Sequence, residues 1–230
     1  MEKFKFDNGE HEFTGIESES GKSLIFSDEF KEIVQKHPGL IGKIYKAVRN
    51  GFYDPKHLLR DEDEFHFDFD GSGRLNTSRL CIKVDIAHSD EEYFVKADRI
   101  GENSYREILV MEYVKEVLKD LPWVKFADYQ CGYFDKNGFG YYVAKWNDLI
   151  SKNISGLKLK MSSIREWENF EEKKKIILEI LSPLGIDDLV DRNLSYDIDT
   201  GDLYLYDLRM KDKHFNALMD RRREDFKLQK

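Results

Sequence analysis

The chain changes its hydrophobic period several times. Apolar residues alternate with polar ones at 65–69 and again at 80–86, with a turn-rich stretch at 70–78 between them. A third short run of this kind follows at 93–96. A two-residue period is typical of half-buried strands, so the pattern predicts a three-stranded antiparallel meander.

Helical periodicity marks three other stretches, which are residues 27–50 with a break at 37–39, residues 103–121, and residues 162–182. We expect the first to form two short helices that stop at Gly51. Asn103 or Ser104 is the expected cap of the second. Pro183 and Gly185 end the third.

Aromatic runs around 123–134 and 141–146 predict two more strands, with a turn at 135–138. A short apolar hairpin around Gly201 and a helix over 213–226 follow. We divide the chain into a helical N-terminal extension at 1–63, a sheet-rich region at 64–146 and a third region at 147–230.

Composition favours an ordinary globular protein. With 40% hydrophobic and 13% aromatic residues among 230, the chain can bury one large or two small cores. No apolar run reaches the roughly 18 residues of a membrane span, and no signal peptide is visible, so a cytoplasmic location is expected. The net charge of -8 argues against nucleic-acid binding. Arg221–Arg223 is interpreted as a solvated helix face.

Cys81 and Cys131 are the two cysteines. They lie far apart with no second pair, which indicates neither a disulfide framework nor a zinc site. Core packing is the expected role of both.

The candidate chemistry lies around the C-terminal hairpin. Asp188 precedes Asn193 by five residues, and Asp207 ends the hairpin's second strand. Hard oxygen ligands held at strand ends suit a polyphosphate with its divalent cation. Together with the order strand, strand, strand, helix, strand, strand upstream, and with Lys96 at the end of the third strand, this set resembles the protein-kinase-like superfamily.

The helix after Lys96 carries a matching acid. Glu107 lies on the same helical face as Met111, Val114 and Leu118, so it should point inward. Glu112 lies beside charged residues and should point to solvent.

The resemblance implies an α+β, two-lobe protein-kinase-like fold that binds ATP and Mg²⁺. It implies that Lys96 holds the nucleotide phosphates with Glu107 as its partner, that Asp188 serves the acceptor hydroxyl, and that Asn193 and Asp207 bind the metal. The remaining nucleotide-binding positions are a phosphate loop at Gly71, Ser72 and Gly73 and a hinge whose main chain reads adenine at Val143 and Ala144.

Three features depart from ordinary protein kinases. Ile186 occupies the position of the family's histidine or tyrosine, Asp207 is followed by Leu-Arg, and the phosphate loop lacks a third glycine. The catalytic segment is more similar to divergent bacterial branches, including the HipA-type toxin kinases. Only 23 residues follow Asp207, so we expect a strongly truncated helical large lobe, with an antiparallel small-lobe sheet and one helix.

Two aspartate-rich segments imitate calcium loops. Residues 68–76 place oxygens and a glycine at EF-hand spacing, but position twelve is Arg79 and the flanks alternate like strands. Residues 197–202 are better interpreted as a hairpin turn because the glycine is misplaced.

Three functions stay open. The first is phosphoryl transfer from ATP to a protein hydroxyl, by a cytoplasmic enzyme or by an effector delivered to a host cytosol. The second is a catalytically silent kinase fold that acts as a binding or regulatory partner. The third is nucleotidyl transfer on the same core, or a different fold. The sequence carries no signal for an oligomeric state.

Overall fold

The computed structural model describes residues 2–5, 12–18, 21–53, 65–69, 79–86, 91–135, 138–145, 164–190 and 193–228. The chain divides into two compact units. Unit 1 comprises Met1–Phe6, Glu10–Ile108 and Asp128–Trp146, and unit 2 comprises Asp7–Gly9, Leu109–Ala127 and Asn147–Lys230. Unit 1 holds an antiparallel sheet and unit 2 holds helices with a small sheet, which confirms the predicted α+β class.

An eight-stranded antiparallel sheet forms the centre of unit 1, in the order β1-β2-β3-β8-β9-β6-β5-β4. Its strands are β1 (Glu2–Lys5), β2 (Glu12–Ser18), β3 (Gly21–Ile25), β4 (Phe65–Phe69), β5 (Arg79–Ile86), β6 (Glu92–Asp98), β8 (Tyr129–Phe134) and β9 (Gly140–Lys145). Strand β7 (Val124–Phe126) belongs to unit 2.

The predicted meander is confirmed as β4, β5 and β6, which pair antiparallel in chain order. The prediction of one strand around 123–134 was wrong, because the chain leaves strand geometry at Ala127 and Asp128. The two halves then pair differently, β7 with a strand of unit 2 and β8 with β9.

Three strands at the N-terminus were not predicted. The N-terminal extension at 1–63 was predicted to be helical, yet β1, β2 and β3 form an antiparallel run at its start. β3 then pairs with β8, with Ile25 opposite Cys131. Residues before the helices therefore extend the same sheet that holds the predicted meander.

Helices α1 (Asp28–Lys36) and α2 (Leu40–Tyr53) confirm the predicted pair. Ser27 caps α1, since its Oγ accepts a hydrogen bond from the Phe30 N–H at 3.2 Å. Gly51 does not stop α2, which continues to Tyr53. The buried faces of both helices share one core with alternate residues of the sheet, including Phe30, Ile44, Val95 and Tyr141.

Helix α3 (Gly101–Val117) begins two residues earlier than predicted. The Asp98 carboxylate accepts hydrogen bonds from the Ile100 N–H at 2.8 Å and from Asn103 Nδ2 at 3.1 Å. This aspartate, rather than Asn103 or Ser104, therefore serves the start of the helix.

Unit 2 contains helices α4 (Ile164–Leu181) and α5 (Asp212–Leu228) and a hairpin of β10 (Leu194–Tyr196) and β11 (Leu203–Leu205). β10 and β11 pair antiparallel, and β7 pairs with β11 in parallel. The helix predicted at 162–182 is confirmed as α4, and its apolar stripe is buried at Phe170, Ile177 and Leu181. None of the described helices combines the length and the hydropathy of a membrane-spanning segment.

Candidate functional site

A row of three residues crosses the middle of the unit 1 sheet. Gly132 of β8 lies opposite Tyr142 of β9, and Tyr142 lies opposite Lys96 of β6. Directly paired residues of an antiparallel sheet project to the same face. Val95 and Ala97, the neighbours of Lys96, face the α1 and α2 core. The row therefore lies on the opposite face of the sheet.

Helix α3 approaches this second face closely. A Cβ atom on Gly132 would lie 2.6 Å from the Ile108 Cδ1 atom of α3, and one on Gly101 would lie 2.5 Å from the Asp135 carbonyl oxygen. A larger residue at Gly101 would displace the start of the helix from the Asp135 main chain, whereas one at Gly132 would displace the end of the Ile108 side chain. The two glycines thus let the segment that carries Glu107 pack against the row.

Lys96 and Glu107 form an ion pair at this point. The Lys96 Nζ lies 3.2 Å from Glu107 Oε1 and 3.1 Å from Oε2. The exposed side-chain fractions are 16% for the lysine and 8% for the glutamate. A carboxylate this deeply buried must be paired and hydrogen-bonded to stay ionised. The role of the two residues in nucleotide binding stays a prediction.

Tyr142 is a site residue that sequence analysis missed. Its hydroxyl donates a hydrogen bond to Glu107 Oε1 at 2.7 Å, and the Lys96 Nζ lies 5.8 Å from its ring centroid. Two buried rings contact it edge to face, those of Tyr129 at 4.9 Å and Phe94 at 6.1 Å between centroids. Tyr142 therefore touches both members of the ion pair.

In unit 2, Asn193 connects the segments of Asp188 and Asp207. The Asn193 Nδ2 donates to the main-chain carbonyl of Asp188 at 3.0 Å and to that of Asp207 at 3.2 Å. The residue is 2% exposed. Because the Nδ2 group bonds to main chain, Oδ1 is the atom of this amide that can act as a metal ligand.

Asp207 has an uncommon backbone conformation. Its φ of 56° is the only positive value among the non-glycine residues that the structure describes. This left-handed region costs free energy for residues with a Cβ atom, although aspartate tolerates it better than most. Such strain persists only where surrounding contacts impose it, and it often marks functional positions.

Tyr206 supplies contacts beside Asp207 that the sequence did not reveal. Its N–H donates to the Asn193 carbonyl at 3.2 Å. Its hydroxyl donates to the Leu194 carbonyl at 3.1 Å and lies 2.9 Å from the Ser195 Oγ, which is fully buried. The residue before Asp207 is thereby fixed to β10.

The adjacent carboxylates of Asp187 and Asp188 differ in their contacts. Asp187 forms an ion pair with Lys211, and the hydrogen bond from this lysine lowers the pKa of Asp187 below its usual value. Both side chains of that pair are more than half exposed. Asp187 thus belongs to a surface pair, which leaves Asp188 as the candidate acceptor residue.

The loop at 197–202 is a hairpin turn, as predicted. The Asp197 Oδ1 accepts from the Asp199 N–H at 2.9 Å and from the Thr200 N–H at 3.3 Å. A carboxylate that accepts main-chain N–H groups two and three residues on closes an Asx-type turn. The other suspected calcium loop is flanked by the strands β4 and β5, and residues 70–78 lie outside the described part.

The predicted nucleotide-binding positions include a phosphate loop and two residues of β9. Gly71, Ser72 and Gly73 lie outside the described residues. Val143 and Ala144, which are predicted to read adenine, lie within β9 between two partner strands, and this role stays a prediction. Val143 faces Val95 on one side and Cys131 on the other, so the main chain here is committed to the sheet.

The donor set fits a magnesium ion only in part. Among the described residues, no three His, Cys, Asp or Glu side chains gather closely enough to hold a metal. Magnesium is commonly bound by one or two carboxylates together with substrate phosphates and water. One carboxylate at Asp207 and one amide oxygen at Asn193 therefore suit a metal that arrives with a nucleotide.

Comparisons with known proteins return kinase structures. No family model matches the sequence, and no curated protein matches it. The crystal structure of the BubR1 kinase domain is similar at a TM-score of 0.41 and 13% identity, over 84% of this chain and 48% of that one. The structure of the Cydia pomonella Granulovirus kinase PK-1 is similar at a TM-score of 0.41 and 16% identity, over 73% of this chain and 60% of that one. The chain thus spans about half to three fifths of their lengths.

Proposed function

We propose that this protein is an ATP- and Mg²⁺-dependent phosphotransferase that acts on a protein hydroxyl. The observation that carries the proposal is the buried ion pair of Lys96 and Glu107. An ammonium fixed by a buried carboxylate is a preorganised partner for the charge of a polyphosphate. A surface lysine would instead lose much side-chain entropy on binding.

The proposed roles follow the chemistry of each group. Lys96 binds the nucleotide phosphates and Glu107 orients Lys96. Asn193 and Asp207 would hold the magnesium ion, which neutralises phosphate charge. Asp188 orients the acceptor hydroxyl and takes its proton as the γ-phosphoryl group moves from ATP to the acceptor oxygen, leaving ADP.

The contacts of Asn193 support these roles. Catalysis of phosphoryl transfer depends mainly on positioning and electrostatics, since the protein contributes little covalent chemistry. An amide bonded to the Asp188 and Asp207 carbonyls keeps these two residues at a constant separation. In this proposal residues 64–146 handle the nucleotide and residues 147–230 handle metal and acceptor. A cytosolic location, in the producing cell or in a host, supplies both ATP and magnesium.

The direct test is incubation with γ-labelled ATP and magnesium, followed by measurement of label on protein and of ADP. We expect transfer or turnover that disappears with a chelator and in Asp207→Ala and Asp188→Ala. Asp187→Ala is the matched control, because Asp187 pairs with Lys211 and should leave activity unchanged.

Two outcomes would favour the other functions. If α-labelled ATP leaves label on protein, the transferred group is the nucleotidyl and not the phosphoryl. If no nucleotide shifts the thermal midpoint with any divalent ion, the protein is a catalytically silent binding module.

A further inference from the structure

The Glu107 carboxylate is held at both oxygens. Oε1 accepts from the Tyr142 hydroxyl at 2.7 Å and from Lys96 Nζ at 3.2 Å, while Oε2 lies 3.1 Å from the same Nζ. A carboxylate bonded through one oxygen can rotate, whereas donors from two directions fix its plane. Tyr142 supplies the second direction.

The tyrosine itself is well immobilised. Its ring contacts the rings of Tyr129 and Phe94 edge to face, and the residue is 3% exposed. Edge-to-face aromatic contacts and close packing restrict the ring to one rotamer. The hydroxyl is therefore a rigid donor anchored to the sheet rather than to α3.

The fixed orientation of the Glu107 carboxylate also determines the orientation of the Lys96 ammonium. An ammonium has three N–H donors, and the orientation of the Glu107 carboxylate decides where these donors point. The Lys96 Nζ also lies over the Tyr142 ring, which attracts the positive charge. Tyr142 thus constrains Lys96 through its ring and Glu107 through its hydroxyl.

We propose that Tyr142 is a positioning residue, whose hydroxyl holds Glu107 so that Lys96 is preorganised for the phosphates of a nucleoside triphosphate. This inference rests on the proposed function. Tyr142 acts through Glu107 and does not itself touch the nucleotide.

The first test measures binding of magnesium-ATP by calorimetry in Tyr142→Phe, which keeps the ring and removes the hydroxyl. We expect the Kd to rise about tenfold, since a hydrogen bond to an ionised group is lost. Tyr141→Phe is the matched control on the same strand. The Tyr141 hydroxyl donates to the Ile41 carbonyl at 3.3 Å, so its loss should leave the Kd unchanged. Equal affinity in Tyr142→Phe and wild type would overturn the proposal.

A double-mutant cycle separates positioning from a general structural effect. In a Glu107→Ala background, Tyr142→Phe should weaken binding no further, because the group through which Tyr142 acts is gone. A further loss as large as in the wild-type background would show that Tyr142 acts by another route.

A third measurement needs no nucleotide. Acetylation by N-hydroxysuccinimidyl acetate, followed by peptide mass spectrometry, reports how firmly Lys96 is paired. We expect Lys96 to react several-fold faster in Tyr142→Phe than in wild type or Tyr141→Phe. Lys115, which pairs with Glu112 at 2.8 Å on α3, is the internal reference. If wild type binds no nucleotide, the proposed function fails, while an unchanged Lys96 rate specifically rejects the role of Tyr142.

Discussion

Asn193 donates a hydrogen bond from Nδ2 to the main-chain carbonyl of Asp207 at 3.2 Å. The same nitrogen donates to the Asp188 carbonyl at 3.0 Å. A single buried amide therefore replaces water for two carbonyl groups that belong to different segments. Its loss would leave both acceptors without this donor inside unit 2.

Asn193→Ala should lower the free energy of unfolding by about 2 kcal/mol, since two hydrogen bonds of about 1 kcal/mol each are removed. Urea denaturation measures this. Asn169→Ala is the control, because Asn169 is exposed and donates only to the Tyr196 hydroxyl at 2.7 Å in the described contacts. Asn169→Ala should lower the free energy of unfolding by about 1 kcal/mol or less. Equal losses in the two variants would contradict a bridging role for Asn193.

Removal of the Lys96 charge should abolish ATP-dependent transfer. We expect no measurable transfer in Lys96→Met, because methionine offers no donor to a phosphate. Glu107→Gln should weaken magnesium-ATP binding about tenfold, since the charge that holds the lysine is lost. Glu112→Gln is the control on the same helix. Its partner Lys115 is one third exposed, so this pair should matter little for binding.

The positive φ of Asp207 predicts a difference between two inactive variants. Both Asp207→Gly and Asp207→Ala remove the carboxylate and should lose transfer activity. Glycine adopts φ of 56° without a Cβ penalty, whereas alanine is strained there. The free energy of unfolding should therefore be about 1 kcal/mol higher for the glycine variant than for the alanine variant. Equal stability in thermal denaturation would mean that the main chain relaxes at this position.

Alkaline pH should destabilise the protein through Cys131. Complete burial raises the pKa of this thiol far above its ordinary value of 9.0. Below pH 9.0 the thiol is protonated in the folded and in the unfolded state, so Cys131 causes no loss of stability there. As pH rises further, only the unfolded thiol ionises, and stability falls. The loss from this group should reach about 2 kcal/mol near pH 10.5.

Urea denaturation at pH 8 and near pH 10.5 measures the loss. Cys131→Ala should show a smaller difference between the two pH values than wild type. Burial also raises the pKa of Tyr141, so both proteins should retain some alkaline sensitivity. An identical pH dependence in wild type and variant would exclude Cys131 as a source.

Sequence periodicity predicted most of the central elements, because their signals are local. The alternation at 65–69 and 80–86 and the stripe of α4 each arise from burial of one face. The pairing of β3 with β8 and of β7 with β11 depends on contacts distant in sequence. β1 spans only four residues, and β2 places Phe13 and Ile16 three positions apart, so the local two-residue period is weak there.

The candidate site also contains residues that the sequence predicted and residues that it did not. The inward direction of Glu107 followed from its helical spacing to Met111 and Val114, all buried in the structure. Tyr142 could not be chosen over Tyr141 without the register that sets it opposite Lys96. The hinge at Val143 and Ala144 stays a prediction, and the sequence did not show that β9 continues to Lys145, since strand ends are poorly marked in sequence.

The placement of β8 and β9 between β3 and β6 has a consequence for the order of folding. During synthesis, β1, β2 and β3 are made long before the strand that completes their pairing. A sheet with such distant partners must close large loops, which slows its formation. Until β8 is available, the free edge of β3 can pair with other chains. Unit 1 should therefore depend on a chaperone more than a sheet of consecutive hairpins would.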